Sequence, residues 1–250
     1  MTGNLLLSYW YTRKADLDRL LEPHTGAAIF ADSGAYSAMT TGADIDIHDY
    51  AQWLLRWNHR FTVYSNLDVI NDPKATARNQ TILEDQYGLT PLPVFHTGEP
   101  WEWLEGYATR YDYIALGGMA RKEYQATVLM PWIVRCFRTV DGAAGLHGFG
   151  ATDWTVMSSF PWRSVDSTTW QAGNRFGAQL IFARNRLFQT RSHLMQQYDQ
   201  DLKRLGYSAT EARLACKKGT RGGNNELANQ IAIAAMTKAQ EKMRDANRAV

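Results

Sequence analysis

Short apolar runs that stop at a turn residue recur along the chain, each followed by a stretch with apolar residues at helical spacing. Leu5–Tyr11 and Ala27–Ala31 read as the first two strands, because four to eight mostly apolar residues bounded by turn residues suit a buried strand. Between them, Lys14–Leu21 places Leu17, Leu20 and Leu21 on one side and stops near Pro23, which predicts a short helix. Asp46–Trp57 carries apolar or aromatic residues at Ile47, Tyr50, Ala51, Leu54 and Trp57, again helical spacing. Further strands are expected at Phe61–Val69, Pro91–His96, Tyr113–Leu116, Gly145–Gly150 and Arg163–Ser167, with an eighth at Gln179–Phe182. Helices are expected over Lys74–Tyr87 (opened by Pro73), Pro100–Tyr111 and Tyr124–Val140. Beyond Arg184 the pattern is helical: Arg191–Leu205, Ala209–Lys218 and Glu226–Asn247.

Strand and helix alternating over short connections imply parallel strands and right-handed crossovers. Seven or eight such units in about 180 residues fit a closed (β/α)8 barrel, a TIM-like α/β fold, better than an open doubly wound sheet, although periodicity alone does not close a barrel. The expected division is a catalytic barrel over residues 1–183 and a basic helical C-terminal segment over 184–250 packed on it.

The composition, 45% hydrophobic and 21% charged over 250 residues, is that of an ordinary soluble globular chain. No run of about 18 apolar residues suggests a membrane span. Residues 1–7 lack the basic region and apolar length of a signal peptide. The expectation is a cytoplasmic protein. Two cysteines, Cys136 and Cys216, supply neither a disulfide framework nor a four-ligand zinc site. No G-x-G-x-x-G or Walker loop follows a strand, so dinucleotide and ATP binding have no support. The net charge of +2 hides an asymmetry. Residues 1–174 hold 13 Lys and Arg against 19 Asp and Glu, whereas residues 175–250 hold 14 against 6. A basic tail beside an acidic body suits a polyanionic partner, and it also reads as a solvated helical face.

In a barrel, residues at the carboxyl ends of the strands share one mouth. That list contains Asp32 and Ser33, Asp68, His96, Gly117 and Gly118, His147 and Gly148, and Asp166. Each has a plainer reading: Asp32-Ser33-Gly34 as an Asx turn, Asp68 and Asp166 as caps, His96 as a core histidine and Tyr36 as a packing aromatic. Together, paired carboxylates suit glycosyl transfer, one attacking an anomeric carbon while the other handles protons on the leaving group. Glycines at 117 and 118 would let backbone N–H groups approach a flat ligand edge. The two histidines lie on different units, with no paired-Cys or H-E-x-x-H spacing, so no metal site is expected.

Asp32-Ser33-Gly34-Ala35-Tyr36 resembles the D-S-G-G-[FY] motif of the tRNA-guanine transglycosylases. Val165-Asp166-Ser167-Thr168-Thr169-Trp170 resembles the F-D-S-A-[SA]-Y form of that family's nucleophile motif. Ile114-Ala115-Leu116-Gly117-Gly118 and Leu146-His147-Gly148-Phe149-Gly150 are similar to its glycine pair and its L-M-G-V-G segment. The four occur in family order, over about residues 28–175.

The resemblance implies that Asp166 is the nucleophile on C1′ of a guanosine nucleotide. Guanine would leave, and a 7-deazaguanine of the preQ0 or preQ1 type, as in queuosine-like modification, would replace it. Asp32 would be general acid and base. Asp68 would accept hydrogen bonds from guanine N1 and its exocyclic amine, with Ser33, Gly117 and Gly118 in the binding set, and Tyr36 and His147 would sandwich the ring. The base would have to be flipped from its stack. The family's C-x-C-x-x-C-and-His zinc cluster is absent, so no cofactor is expected, and His96 falls near the family's V-Q-G-G glutamine. Compact zinc-less relatives in bacteriophages and in bacterial DNA-modification clusters are thought to act on DNA. The expected activity is therefore a phage-type DNA-guanine transglycosylase that protects DNA from restriction, with partner proteins of a modification pathway possible. The alternatives are a tRNA-guanine transglycosylase, a non-catalytic nucleic-acid-binding homologue and an unrelated N-glycosidic hydrolase. Arg184, Arg186, Arg191, Lys217, Lys218 and Arg221 would track phosphates.

Overall fold

A computed structural model describes residues 4–119, 126–167, 178–216 and 225–248. The chain forms two compact units, one of residues Met1–Gly150 and Trp162–Asp166, the other of Ala151–Pro161 and Ser167–Val250.

Among the described residues the first unit holds seven parallel strands. β1 (Leu5–Ser8), β2 (Ile29–Asp32) and β3 (Val63–Tyr64) make one sheet; β4 (Val94–His96), β5 (Tyr113–Gly117), β6 (Gly145–Gly148) and β7 (Ser164–Val165) make another. A single parallel bridge joins Ser65 to Leu92. Within each sheet every strand pairs with its neighbour in the chain, as short crossovers demand. The register aligns strand ends: Ser8 with Asp32, His96 with Gly117 and Gly148 with Val165.

Strand 1 is shorter than the expected Leu5–Tyr11 because the chain turns into helix α1 (Tyr9–Thr12), where the Thr12 hydroxyl donates to the Ser8 carbonyl. Helices α2 (Leu17–Leu21), α3 (Ala35–Thr40) and α4 (Ile47–Trp57) follow. Asp16 caps α2 and Asp46 caps α4, each side chain accepting two backbone N–H groups of the first turn. The stripe on α4 buries Tyr50, Ala51, Trp53, Leu54 and Trp57 against Leu17, Leu21, Ile29 and Ala31. Each large side chain buried this way contributes about 1.5–3 kcal/mol. Next come α5 (Pro73–Thr81), which continues as a π-helical turn to Gln86, then α6 (Trp101–Ala108) and α7 (Ala126–Val140). Phe30, Leu92, Val94 and Ala115 form a second apolar cluster drawn from both sheets.

The eight-stranded barrel is not what the described residues form. They contain seven parallel strands, in sheets of three and four. The stretch expected as the eighth belongs to β8 (Ala178–Ala183), which pairs antiparallel with β9 (Arg186–Arg191) in the second unit. The reason is the connection. Arg184 and Asn185, both at positive φ (50° and 60°), reverse the chain in two residues. Such a turn makes a hairpin, whereas a parallel crossover needs about a dozen residues. The expected division at 183/184 falls at the tip of this hairpin, and the tail opens with a strand.

The other elements among the described residues of the second unit are helical. It contains α8 (Trp154–Ser159), a 3-10 segment Ser192–Tyr198, and α9 (Asp199–Arg204), α10 (Ala209–Ala215) and α11 (Asn225–Arg248). Ile181, Met195, Leu202, Ala212, Cys216, Ala228 and Ile231 are among its core residues. Gln179 is buried in it with its polar atoms satisfied, donating to Ala228 O and accepting from Cys216 Sγ. No helix among the described residues is long and apolar enough to cross a membrane.

Candidate active site

β2 ends at Asp32, and the loop beyond it is shaped by its own side chains. Gly34 N–H donates to Asp32 Oδ2 at 3.0 Å, and Ala35 N–H donates to Ser33 Oγ at 3.3 Å. Gly34 sits at φ 75°, where a Cβ would stand 2.3 Å from Ser8 Oγ and 2.6 Å from Trp10 Cβ, so only glycine fits. The Ser33 hydroxyl donates to Asp68 Oδ1 at 3.2 Å, tying the loop after β2 to the segment that follows β3. Tyr36, in the first turn of α3, is 55% exposed.

Asp68 is reached through a buried segment. The Tyr50 hydroxyl donates to Ser65 O, and Asn66 Nδ2 donates to Thr76 O. Asp68 Oδ2 lies 2.9 Å from Nε2 of His96, at the end of β4. The other ring nitrogen, Nδ1, lies 3.1 Å from Glu99 Oε1, while Glu99 Oε2 accepts the His96 backbone N–H at 3.0 Å. His96, expected at the base edge, thus has both ring nitrogens engaged by carboxylates. The glycine pair has a packing reason of its own. A Cβ on Gly117 would stand 2.5 Å from His96 Cδ2, and one on Gly118, at φ 81°, would stand 2.4 Å from Thr97 Oγ1.

Gly117→Ala is therefore expected to cost about 2–4 kcal/mol, because a ring gripped by two carboxylates cannot retreat from the added methyl. Gly106→Ala, in α6 with nothing within 4 Å of the new Cβ, is the contrast. It should gain about 0.5–1 kcal/mol from helix propensity. Urea unfolding of both variants measures the difference, and equal effects would rule out the steric account.

β6 and β7 carry the remaining pair. Asp166 follows β7, where its Oδ1 accepts Gly150 N–H at 2.8 Å and its own N–H donates to Gly148 O at 3.2 Å. His147 is buried, with Phe30 and Phe149 packed on its ring at centroid distances of 4.5 and 4.6 Å. It therefore does not offer the open face that a sandwich with Tyr36 requires. Its Nδ1 bonds Ser164 Oγ, which also bonds Tyr113 Oη, and its Nε2 stands 3.5 Å from Asp166 Oδ1. Among the described residues that Nε2 has no hydrogen-bond partner.

Asp68 and Asp166 both act on Asp32. The pKa of Asp32 is raised to about 7, first by burial and then by the charges of Asp68 and Asp166, against the lowering effect of the Gly34 and Ser33 N–H groups. Burial alone would depress His96, but its hydrogen bonds to Asp68 and Glu99 prevail and hold it up at about 9. Among the described residues no group of three His, Cys, Asp or Glu is arranged to hold a metal ion.

Of the expected phosphate-tracking residues, Arg184, Arg186 and Arg191 are exposed on the β8–β9 hairpin and not on a helix. Arg184 lies over the Tyr198 ring at 5.4 Å and Arg186 over Phe188 at 5.7 Å. Lys217, Lys218 and Arg221 lie outside the described residues, as do Thr168, Thr169 and Trp170 of the last motif. Sequence reasoning missed Glu99, whose one signal is its place three residues after a strand-end histidine. It also missed Tyr113 and Ser164, which only the strand register brings to His147. No protein-family model matches the chain and no curated protein is similar to it, so the site is read from its own geometry.

Proposed function

We propose that the chain is a guanine transglycosylase that exchanges guanine in DNA for a 7-deazaguanine base through a glycosyl ester on Asp166. The observation that carries this reading is the pair of strand-end carboxylates in unlike environments. Asp32 titrates near neutrality, and Asp166 is oriented by a backbone N–H. Two carboxylates set apart in this way serve as an acid/base and a nucleophile.

In the first half-reaction Asp166 Oδ2, the oxygen not held by Gly150, attacks C1′ of the flipped nucleotide. The C1′–N9 bond breaks, its electron pair goes to the purine, and the protonated Asp32 supplies the proton that guanine leaves with. In the second, Asp32 takes a proton from the incoming base, whose N9 attacks C1′ and displaces the Asp166 carboxylate. No proton is consumed overall, so one group near its pKa serves both directions. Asp68, fixed by Ser33 and His96, keeps a second lone pair on each oxygen for the N–H edge of the base. The exposed Tyr36 is the remaining aromatic of the expected pair. The exposed hairpin arginines support an anionic polymer as partner.

The resemblance to compact zinc-less relatives favours DNA over tRNA. The test is exchange of labelled guanine into duplex DNA, single-stranded DNA and tRNA, side by side. Label in DNA alone is the expected result. Label in tRNA would make the chain a tRNA enzyme, and label in none would overturn the transglycosylase reading. Release of guanine without incorporation would mark a hydrolase.

A further inference from the structure

Glu99 belongs to none of the motifs above. It sits on the turn between β4 and α6, buried to 8% exposure although its neighbours Gly98 and Pro100 are exposed. Both of its carboxylate oxygens are spent on one residue, Oε2 on the His96 backbone N–H and Oε1 on His96 Nδ1. The opposite ring nitrogen faces Asp68 Oδ2. A neutral imidazole has one N–H and one acceptor nitrogen. Between two ionised carboxylates the neutral ring would leave a buried nitrogen lone pair against an oxygen lone pair, a contact with no proton in it. The doubly protonated ring donates to both. The other ionisable groups around this unit are the Asp32 carboxyl on the Asp68 side and the Tyr107 phenol near Glu99.

We propose that Glu99 is a positioning residue of the base site, holding His96 as an imidazolium so that Asp68 is pinned as an ionised acceptor for adjacent N–H donors. The identity of the donor edge, guanine N1 and its exocyclic amine, rests on the transglycosylase reading; the charge on the ring does not. Ser33 fixes Asp68 Oδ1 from the opposite side, so the carboxylate is clamped at both oxygens. The value of about 9 for His96 agrees with this arrangement.

The decisive measurement is a nitrogen NMR titration of the His96 ring in the full chain, assigned with His96→Gln. Both ring nitrogens should be protonated at neutral pH and titrate together at about pH 9. In Glu99→Gln the ring should lose its proton at least about one pH unit lower, one charge-assisted hydrogen bond having become a neutral one. In the exchange assay Glu99→Gln should raise KM for the free base about tenfold, with kcat within about threefold. A neutral His96 ring in the wild-type chain at neutral pH would overturn the proposal. So would a folded Glu99→Gln variant with unchanged ring titration and KM. If that variant does not fold, the wild-type titration decides. A wild-type chain that exchanges no base while its His96 ring stays charged removes the transglycosylase reading and leaves the Glu99–His96 assignment standing.

Discussion

Asp166→Ala is expected to lower base exchange by at least about four orders of magnitude, the scale on which removing a covalent nucleophile acts. Polymer binding should persist, because the substitution touches neither the hairpin arginines nor the Asp68 clamp. Stability should fall by less than about 1–3 kcal/mol, the cost of an unpaired Gly150 N–H, because relief of carboxylate repulsion offsets part of it. Exchange of labelled guanine and retention of labelled DNA, measured on one preparation, separate the two effects. Exchange within about tenfold of wild type would remove Asp166 from the nucleophile's role.

Asp32→Asn should do something less usual, stabilising the fold while stopping the chemistry. The folded pKa of about 7 lies above the ordinary 3.8. Between those values the folded chain holds a proton that the unfolded chain has released. Stability therefore falls as pH rises through that window, and the full cost persists above it. Three units at 1.36 kcal/mol each set an upper bound of about 4 kcal/mol, and screening at a half-buried carboxyl brings the expectation to about 1–3. The amide keeps an acceptor for Gly34 N–H and escapes the charge penalty. The variant should match wild type in urea near about pH 4 and exceed it by about 1–3 kcal/mol near about pH 8. Exchange should drop by about two to four orders of magnitude in both half-reactions. A stability gap independent of pH would show that Asp32 ionises like a free side chain.

The strand-end residues were legible in the sequence because each closes an apolar run at a turn, a pattern set by local burial. Asp32, His96, Gly117 and Asp166 lie at or just past such ends, whereas β3 stops at Tyr64 and leaves Asp68 four residues beyond it. Their partners were not legible. His147 reads as a ring for stacking because the chain does not show that Phe30, from a strand distant in sequence, packs on it. Gly117 and Gly118 read as room for a ligand, yet the atoms nearest their missing Cβ positions belong to His96 and Thr97. The eighth strand failed for a related reason. Gln179–Phe182 has the apolar character of a parallel strand, and the deciding feature is the left-handed pair Arg184-Asn185, which lacks the glycine that normally marks such a turn. The basic stretch after it looked helical on charge and spacing, although Leu187 and Thr190 are buried in β9.

The chain passes between its two units three times, after Gly150, after Pro161 and after Asp166. Helix α8, in the excursion between β6 and β7, buries Val156 and Met157 and packs Trp154 on Phe182 of the hairpin. The second unit is thus spliced into the loop that separates Gly150 from Asp166, the two residues joined by the hydrogen bond that orients the Asp166 carboxylate. No single cut frees either unit. A chain shortened at Asp166 would still carry α8, stripped of the hairpin that covers it. Exchanging the second unit for another module, by recombination or by design, means replacing two separate segments at once while keeping the spacing that returns Asp166 to the Gly150 N–H.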